Sequence, residues 1–279
     1  MFYKSLYRVK DDSLIIPHNA GFFSCCSVRL VAITNFHRQF NKLPISVDSS
    51  TQFEWYKNDT NKNFNITFDY FENYDNIDIN IPNNNCYFST DLRSQPQFTD
   101  YSKLNFEYIN HFMKKYFTPS KEINNIIANI EAKYNIDYDN ICTLFYRGND
   151  KNTETYICPY VEYIKYAGIL RDKNPNIKFL IQSDETEFIE LFTQLFPNNS
   201  FYFKDDIRHM NKCNDTVDKK FASTNYEFSK KYLAITVIMS KCKYIICGSG
   251  NCSKWIVLYR NNIKGVYQNL NNKWIINEY

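Results

Sequence analysis

Leu144-Phe145-Tyr146-Arg147-Gly148-Asn149-Asp150-Lys151 carries an apolar, aromatic-rich run into an arginine, a glycine and a cluster of charge. The run from Ile141 to Tyr146 is rich in branched and aromatic residues, which reads as a parallel strand buried on both faces. In open α/β sheets ligands gather beyond the carboxyl ends of strands, and Arg147 stands at that end. A planar guanidinium suits a diphosphate there, because it can offer two parallel hydrogen bonds. From position alone Arg147 has a second reading, an ion pair with Asp150 or Asp139.

Downstream the pattern alternates: helix 159–171, strand 178–182, helix 185–196 and strand 201–203, then a polar loop 205–224, helix 227–241, strand 244–247 and helix 252–260. Repeated βα alternation with short connections implies a parallel, doubly wound sheet. Gly248-Ser249-Gly250-Asn251 lies between the strand at 244–247 and the next helix, where free N–H groups and the helix dipole favour a phosphate; G-x-G also serves many plain turns. Neither G-x-x-x-x-G-K-[ST] nor G-x-G-x-x-G occurs in the chain.

Upstream, strand 14–17, turn 18–24, helix 26–40 and strand 45–48 make a βαβ unit. Gly21 in that turn also has a plain reading as a residue at an unusual backbone angle. Residues 51–101 lose any sustained period, with 66–71 as a candidate strand. The aromatics Trp55, Tyr56, Tyr70 and Tyr74 there suit either sugar stacking or core packing. Helices at 109–117 and 122–134 follow, the second opened by Pro119-Ser120. A boundary near 135–140 divides the chain into units 1–138 and 139–279.

The 279 residues suffice for two α/β units of ordinary size, and the formal net charge of +3 with no dense basic block excludes a general nucleic-acid binder. Nine cysteines without a C-x-x-C pair fit free thiols in a reducing compartment. Four histidines without H-E-x-x-H give no zinc signature. Asp137-Tyr138-Asp139 is a D-x-D, but it precedes a strand where a metal-binding copy would follow one. No leader-like run or transmembrane-length apolar stretch occurs, so the expected location is cytoplasmic.

The segment from Arg147 to Tyr163 resembles a stretch of the α-1,6-fucosyltransferases, which carry H-x-R-R-T-D-K, a T-E pair, then a proline and E-Y opening a helix. One residue between Lys151 and Thr153 must be deleted to keep register. Phe179-Leu180-Ile181-Gln182-Ser183-Asp184 is similar to the family's strand ending in an acidic turn. Met239 to Gly250 resembles the helix, strand and Ser/Gly turn of both α-1,6- and α-1,2-fucosyltransferases. The likeness covers roughly 142–259. The family's histidine is Phe145 here, its second arginine is Gly148, and a helix aspartate falls near Ile235.

The resemblance implies a GT-B architecture, two Rossmann-type doubly wound parallel-sheet domains facing a cleft. It further implies inverting transfer from GDP-fucose to a glycan or glycoprotein hydroxyl, without metal or cofactor. Arg147, Lys151, Gly248, Ser249, Gly250 and Asn251 would hold the diphosphate. Glu154, at the T-E position, would be the base, with Asp150 as the alternative. Asn19, Gly21, Phe22, Ser24, Phe145 and Asp184 would face the cleft. Two alternatives stay open, a different sugar nucleotide and a catalytically silent glycan-binding protein.

Overall fold

The computed structural model describes residues 6–81, 95–153 and 155–279, apart from the side chains of Asn152 and Thr153. Its first sheet has three short strands, β1 (Arg8–Lys10), β2 (Ser13–Ile15) and β3 (Val47–Asp48). β2 runs antiparallel to β1 and parallel to β3, with Leu14 opposite Val47. The crossover between β2 and β3 is α1 (Phe22–Phe40). Its residues are buried nearly all round, as expected of a helix packed on several sides. It ends at Asn41, whose left-handed conformation (φ 50°) closes the last turn.

The candidate strand at 66–71 is instead a single helical turn, α2 (Thr67–Tyr70). Asn65 Oδ1 accepts the N–H of Thr67 at 3.1 Å, and this local side-chain bond starts a turn where the apolar pattern suggested a strand. α3 (Phe106–Tyr116) begins at Asn105, whose side chain accepts the N–H of Tyr108. α4 (Lys121–Tyr134) begins at Ser120, in keeping with the Pro119-Ser120 signal.

The second sheet has six strands: β4 (Ile141–Tyr146), β5 (Lys178–Ser183), β6 (Ser200–Phe201), β7 (Tyr244–Gly248), β8 (Val266–Leu270) and β9 (Lys273–Asn277). Their order is β6-β5-β4-β7-β8-β9; β9 alone is antiparallel to its neighbour. β8 and β9 form a hairpin absent from the sequence reading. Its turn residues Asn271 and Asn272 both have positive φ, the geometry of a tight two-residue hairpin turn. The helices of this half are α5 (Tyr160–Lys173), α6 (Thr186–Leu195), α7 (Val217–Lys220), α8 (Asn225–Lys241) and α9 (Asn251–Arg260). The short α7 interrupts the expected polar loop.

From β4 the chain winds outward through β5 to β6, then returns through α8 to β7 on the other side of β4. The reversal makes a crevice at the carboxyl ends of β4 and β7, the usual ligand position in such sheets. Both halves contribute to one continuous apolar core. Trp255 of α9 is fully buried between Phe23 and Phe117, with ring centroids 5.9 and 4.8 Å away. Its indole N–H donates to Ser27 Oγ at 2.9 Å, and that hydroxyl donates to Asn251 Oδ1 at 2.8 Å. The N-terminal half therefore registers directly against the start of α9.

Candidate active site

A cavity of about 400 Å³ opens at the crevice, within the range of small-ligand sites. Arg147, Asp150, Lys151, Phe145 and Gly248 to Asn251 line one side, and Gly21, Phe22 and Ser24 line the other. Asn19 and Asp184 do not line it. Asn19 Oδ1 accepts the N–H of Glu54, while Asp184 is buried behind Arg147. Glu154 lies outside the described residues.

Arg147 follows β4 directly, and it makes the ion pair with Asp150 that its position suggested. Its Nε donates to Asp184 Oδ2 at 2.7 Å, one terminal nitrogen to Asp150 Oδ1 at 3.1 Å and the other to Tyr232 Oη at 3.4 Å. Asp139 is not its partner. Three of the five guanidinium N–H bonds are thereby used, and the side chain remains 24% exposed, so donors remain for a ligand. Burial works against the charge, but Asp184, Tyr232 and Asp150 outweigh it and raise the Arg147 pKa. Asp150 also accepts from Lys151 Nζ at 2.7 Å. Burial opposes its ionisation too, yet Arg147 and then Lys151 prevail and hold it below the ordinary value.

Asp184, just after β5, ties the loop down. Its Oδ1 accepts the Gly148 N–H at 3.0 Å, and its carbonyl accepts from Asn149 Nδ2 at 2.7 Å. Gly148 is required by packing: a Cβ there would run into Glu185 Oε1 and lie 2.7 Å from Tyr146 Cε1. Glu185 is fully buried, its Oε2 accepts from Tyr160 Oη, and its Oε1 has no partner among the described residues. Burial raises its pKa against the pull of Tyr160. A second arginine at position 148 would have to displace this buried pair.

The turn after β7 is more self-contained than expected. Ser249 Oγ donates to the Asn269 carbonyl at 2.8 Å and accepts from Gln268 Nε2 at 2.7 Å. The Gly250 N–H donates to Tyr101 Oη at 3.1 Å, so it is committed to the protein and does not face a phosphate. The N–H groups of Asn251, Cys252 and Ser253 open α9 and have no acceptor among the described residues. Those three residues line the cavity, so the helix N–H groups open to it begin at Asn251, the last residue of the predicted turn.

Several cavity residues were not singled out from the sequence as site residues. Trp55 lines the opening and is 44% exposed, whereas Tyr56, Tyr70 and Tyr74 are buried. Asp218 enters from α7 and Tyr232 from α8. Thr216, whose hydroxyl accepts the Lys219 N–H, was the one available sign of a helix start in that polar loop. Among the described residues no group of three or more His, Cys, Asp or Glu side chains could hold a metal ion, and no helix is long and apolar enough to cross a membrane. The described cysteines are free thiols.

No protein-family model and no curated protein matches the sequence. Among solved structures, fucosyltransferase NodZ from Bradyrhizobium aligns over 93% of this chain and 97% of its own, with a TM-score of 0.53 and 13% identity. The chain has the GT-B fold of that enzyme. A second structure, NodZ α-1,6-fucosyltransferase soaked with GDP-fucose, aligns at 13% identity with a TM-score of 0.41. That alignment covers 63% of this chain and 55% of the other. The alignment with the Bradyrhizobium enzyme extends through the N-terminal half, beyond the stretch 142–259 that carries the sequence motifs.

Proposed function

We propose that the chain is a glycosyltransferase that takes a sugar from a nucleoside diphosphate donor of the GDP-fucose type and passes it to a glycan hydroxyl. The observation that carries this reading is the cavity at the strand-order reversal, where Arg147 and the opening N–H groups of α9 line the same space. Units 1–138 and 139–279 are its acceptor and donor sides. As the bond from the anomeric carbon to the diphosphate breaks, negative charge grows on the leaving group. Arg147, Lys151 and the start of α9 meet that charge, and donors fixed beforehand are worth several kcal/mol in such a step. The acceptor oxygen attacks from the opposite face, which inverts the anomeric centre.

Phe145 and Ile235, both buried, favour a second reading in which the donor carries another base or sugar. They stand where the resembled family has a histidine and an aspartate. A thermal-shift titration with GDP, GDP-fucose, GDP-mannose, UDP and UDP-sugars, with and without Mn²⁺, separates the readings. Saturation at about 100-fold over Kd should stabilise the protein by ~2.7 kcal/mol. A guanine-specific, Mn²⁺-independent response is expected. A response to UDP compounds alone would select the second reading, and no response to any nucleotide would overturn both.

A further inference from the structure

We propose that Asp218 is the base that takes the proton of the incoming acceptor hydroxyl, with Tyr56 as its positioning residue; this rests on the glycosyl-transfer reading. Among the described residues lining the cavity, the carboxylates are Asp150 and Asp218. Asp150 is held by two cations, Arg147 at 3.1 Å and Lys151 at 2.7 Å, and its work is to orient the arginine. Asp218 forms no ion pair among the described residues. Its Oδ2 accepts from Tyr56 Oη at 3.0 Å, and Oδ1 has no hydrogen-bond partner among the described residues.

The position suits the role. A base for inverting transfer must stand on the wall opposite the leaving diphosphate. Asp218 belongs to the C-terminal half by sequence but is fastened to the N-terminal wall. Tyr56 Oη, which donates to it, also accepts the Phe22 N–H at 2.7 Å at the start of α1. The Asn225 side-chain amide donates to the backbone carbonyls of Asp218 and Trp55, at 2.9 and 3.0 Å, and so ties α7 to the turn that carries Trp55.

The environments of the two carboxylates push them apart, the arrangement expected when two acids divide roles. Burial raises the Asp218 pKa; Tyr56, Arg147 and Arg208 oppose the rise, and Asp150 adds to it. The neighbouring Lys219 is exposed and pairs with Asp215. Asp218 is thus a stronger base than an ordinary aspartate. In the step itself, the acceptor oxygen bonds to the anomeric carbon while the bond to the diphosphate oxygen breaks, its electron pair leaving with the diphosphate. The hydroxyl proton passes to Asp218, which then releases it to solvent.

The test follows GDP release from GDP-fucose with water as acceptor, as a function of pH, in wild type, Asp218→Asn and Tyr56→Phe. A positioned base contributes roughly 10²–10⁴-fold, so Asp218→Asn should lower kcat by at least ~100-fold and abolish the acid limb of the profile. GDP affinity should stay within about threefold. The asparagine can still accept from Tyr56. Tyr56→Phe removes a hydrogen bond to the ionised form, so its acid limb should move to higher pH. An Asp218→Asn rate within about threefold of wild type would overturn the assignment. So would an unshifted limb in Tyr56→Phe, which decides the matter even if the asparagine variant does not fold. Wild-type release from none of the nucleotide sugars in the binding panel would remove the glycosyl-transfer reading, and this assignment with it.

Discussion

One wall of the cavity is held by strands and the other by side chains. On the C-terminal side, β4 is buried along its whole length and pairs with β5 over six residues and β7 over four. Arg147 and Gly248 stand at the ends of that ladder. On the N-terminal side β2 and β3 share two residue pairs, far too little to fix a wall. There Phe22 packs against Tyr70, Phe53 and Tyr56 with centroids 4.8 to 5.6 Å apart, and Tyr56 carries the hydrogen bonds onward. A backbone ladder tolerates changes of side chain, whereas a wall of interlocked rings depends on each ring.

The sharpest way to break this comparison is to remove a ring. Phe22→Ala should cost about 3–5 kcal/mol in denaturant unfolding, the range for a buried phenylalanine. Its ring is fully buried and touches four other aromatics, so the surroundings cannot collapse cheaply. A loss below ~1 kcal/mol would mean that the short strands hold this wall after all.

On the strand-built side, an end-of-ladder residue should be separable from the fold. Arg147→Lys keeps a charge beside Asp184 and Asp150 but cannot make the same fork of contacts. Transfer should fall about 10²–10³-fold, the scale for one preorganised donor, with only a small change in melting temperature. Equal losses of stability and activity would show that the ladder does not support the loop independently. Gly148→Ala probes the same loop through packing. Its methyl would meet the buried Glu185, so it should destabilise the protein by about 2 kcal/mol, within the overpacking range. The cost should shrink in a Glu185→Ala background, and an unchanged cost would assign it to the Tyr146 ring instead.

The same division explains what was legible in the sequence. A buried ladder writes its period into the chain, so β4, β5 and β7 and the longer helices α5, α6 and α8 were readable within a few residues. That Arg147 and Lys151 line the cavity followed from their place after β4. The N-terminal wall leaves no such period, because Phe22, Phe53, Tyr56 and Tyr70 meet through space from separate turns. The strand expected at 66–71 failed for a local reason, the Asn65 turn. The β8–β9 hairpin leaves only Asn271-Asn272 as its local signal. Asp218 could not be read at all, since its neighbours Tyr56 and Arg147 lie 162 and 71 positions away.

The smallest expected effect lies where the two walls share α9. Lys254 is fully buried on that helix, and its Nζ has no hydrogen-bond partner among the described residues. Burial disfavours the charged amine and pushes its pKa down to about 7. The unfolded chain restores the ordinary lysine value. Between these two values the unfolded state therefore binds more protons than the folded one, and stability rises with pH across that window. Lys254→Met keeps the length of the side chain and removes the unpaired amine. It should stabilise the protein at neutral pH by about 1 kcal/mol, the low end for an unsatisfied buried donor. Because the wild-type penalty is greatest when the amine is charged, the gain should be larger at pH ~6 than at pH ~9. A gain independent of pH would mean that the amine binds its proton equally well in the folded and unfolded chain, and a loss would mean that it finds a partner worth more than the apolar contact that replaces it.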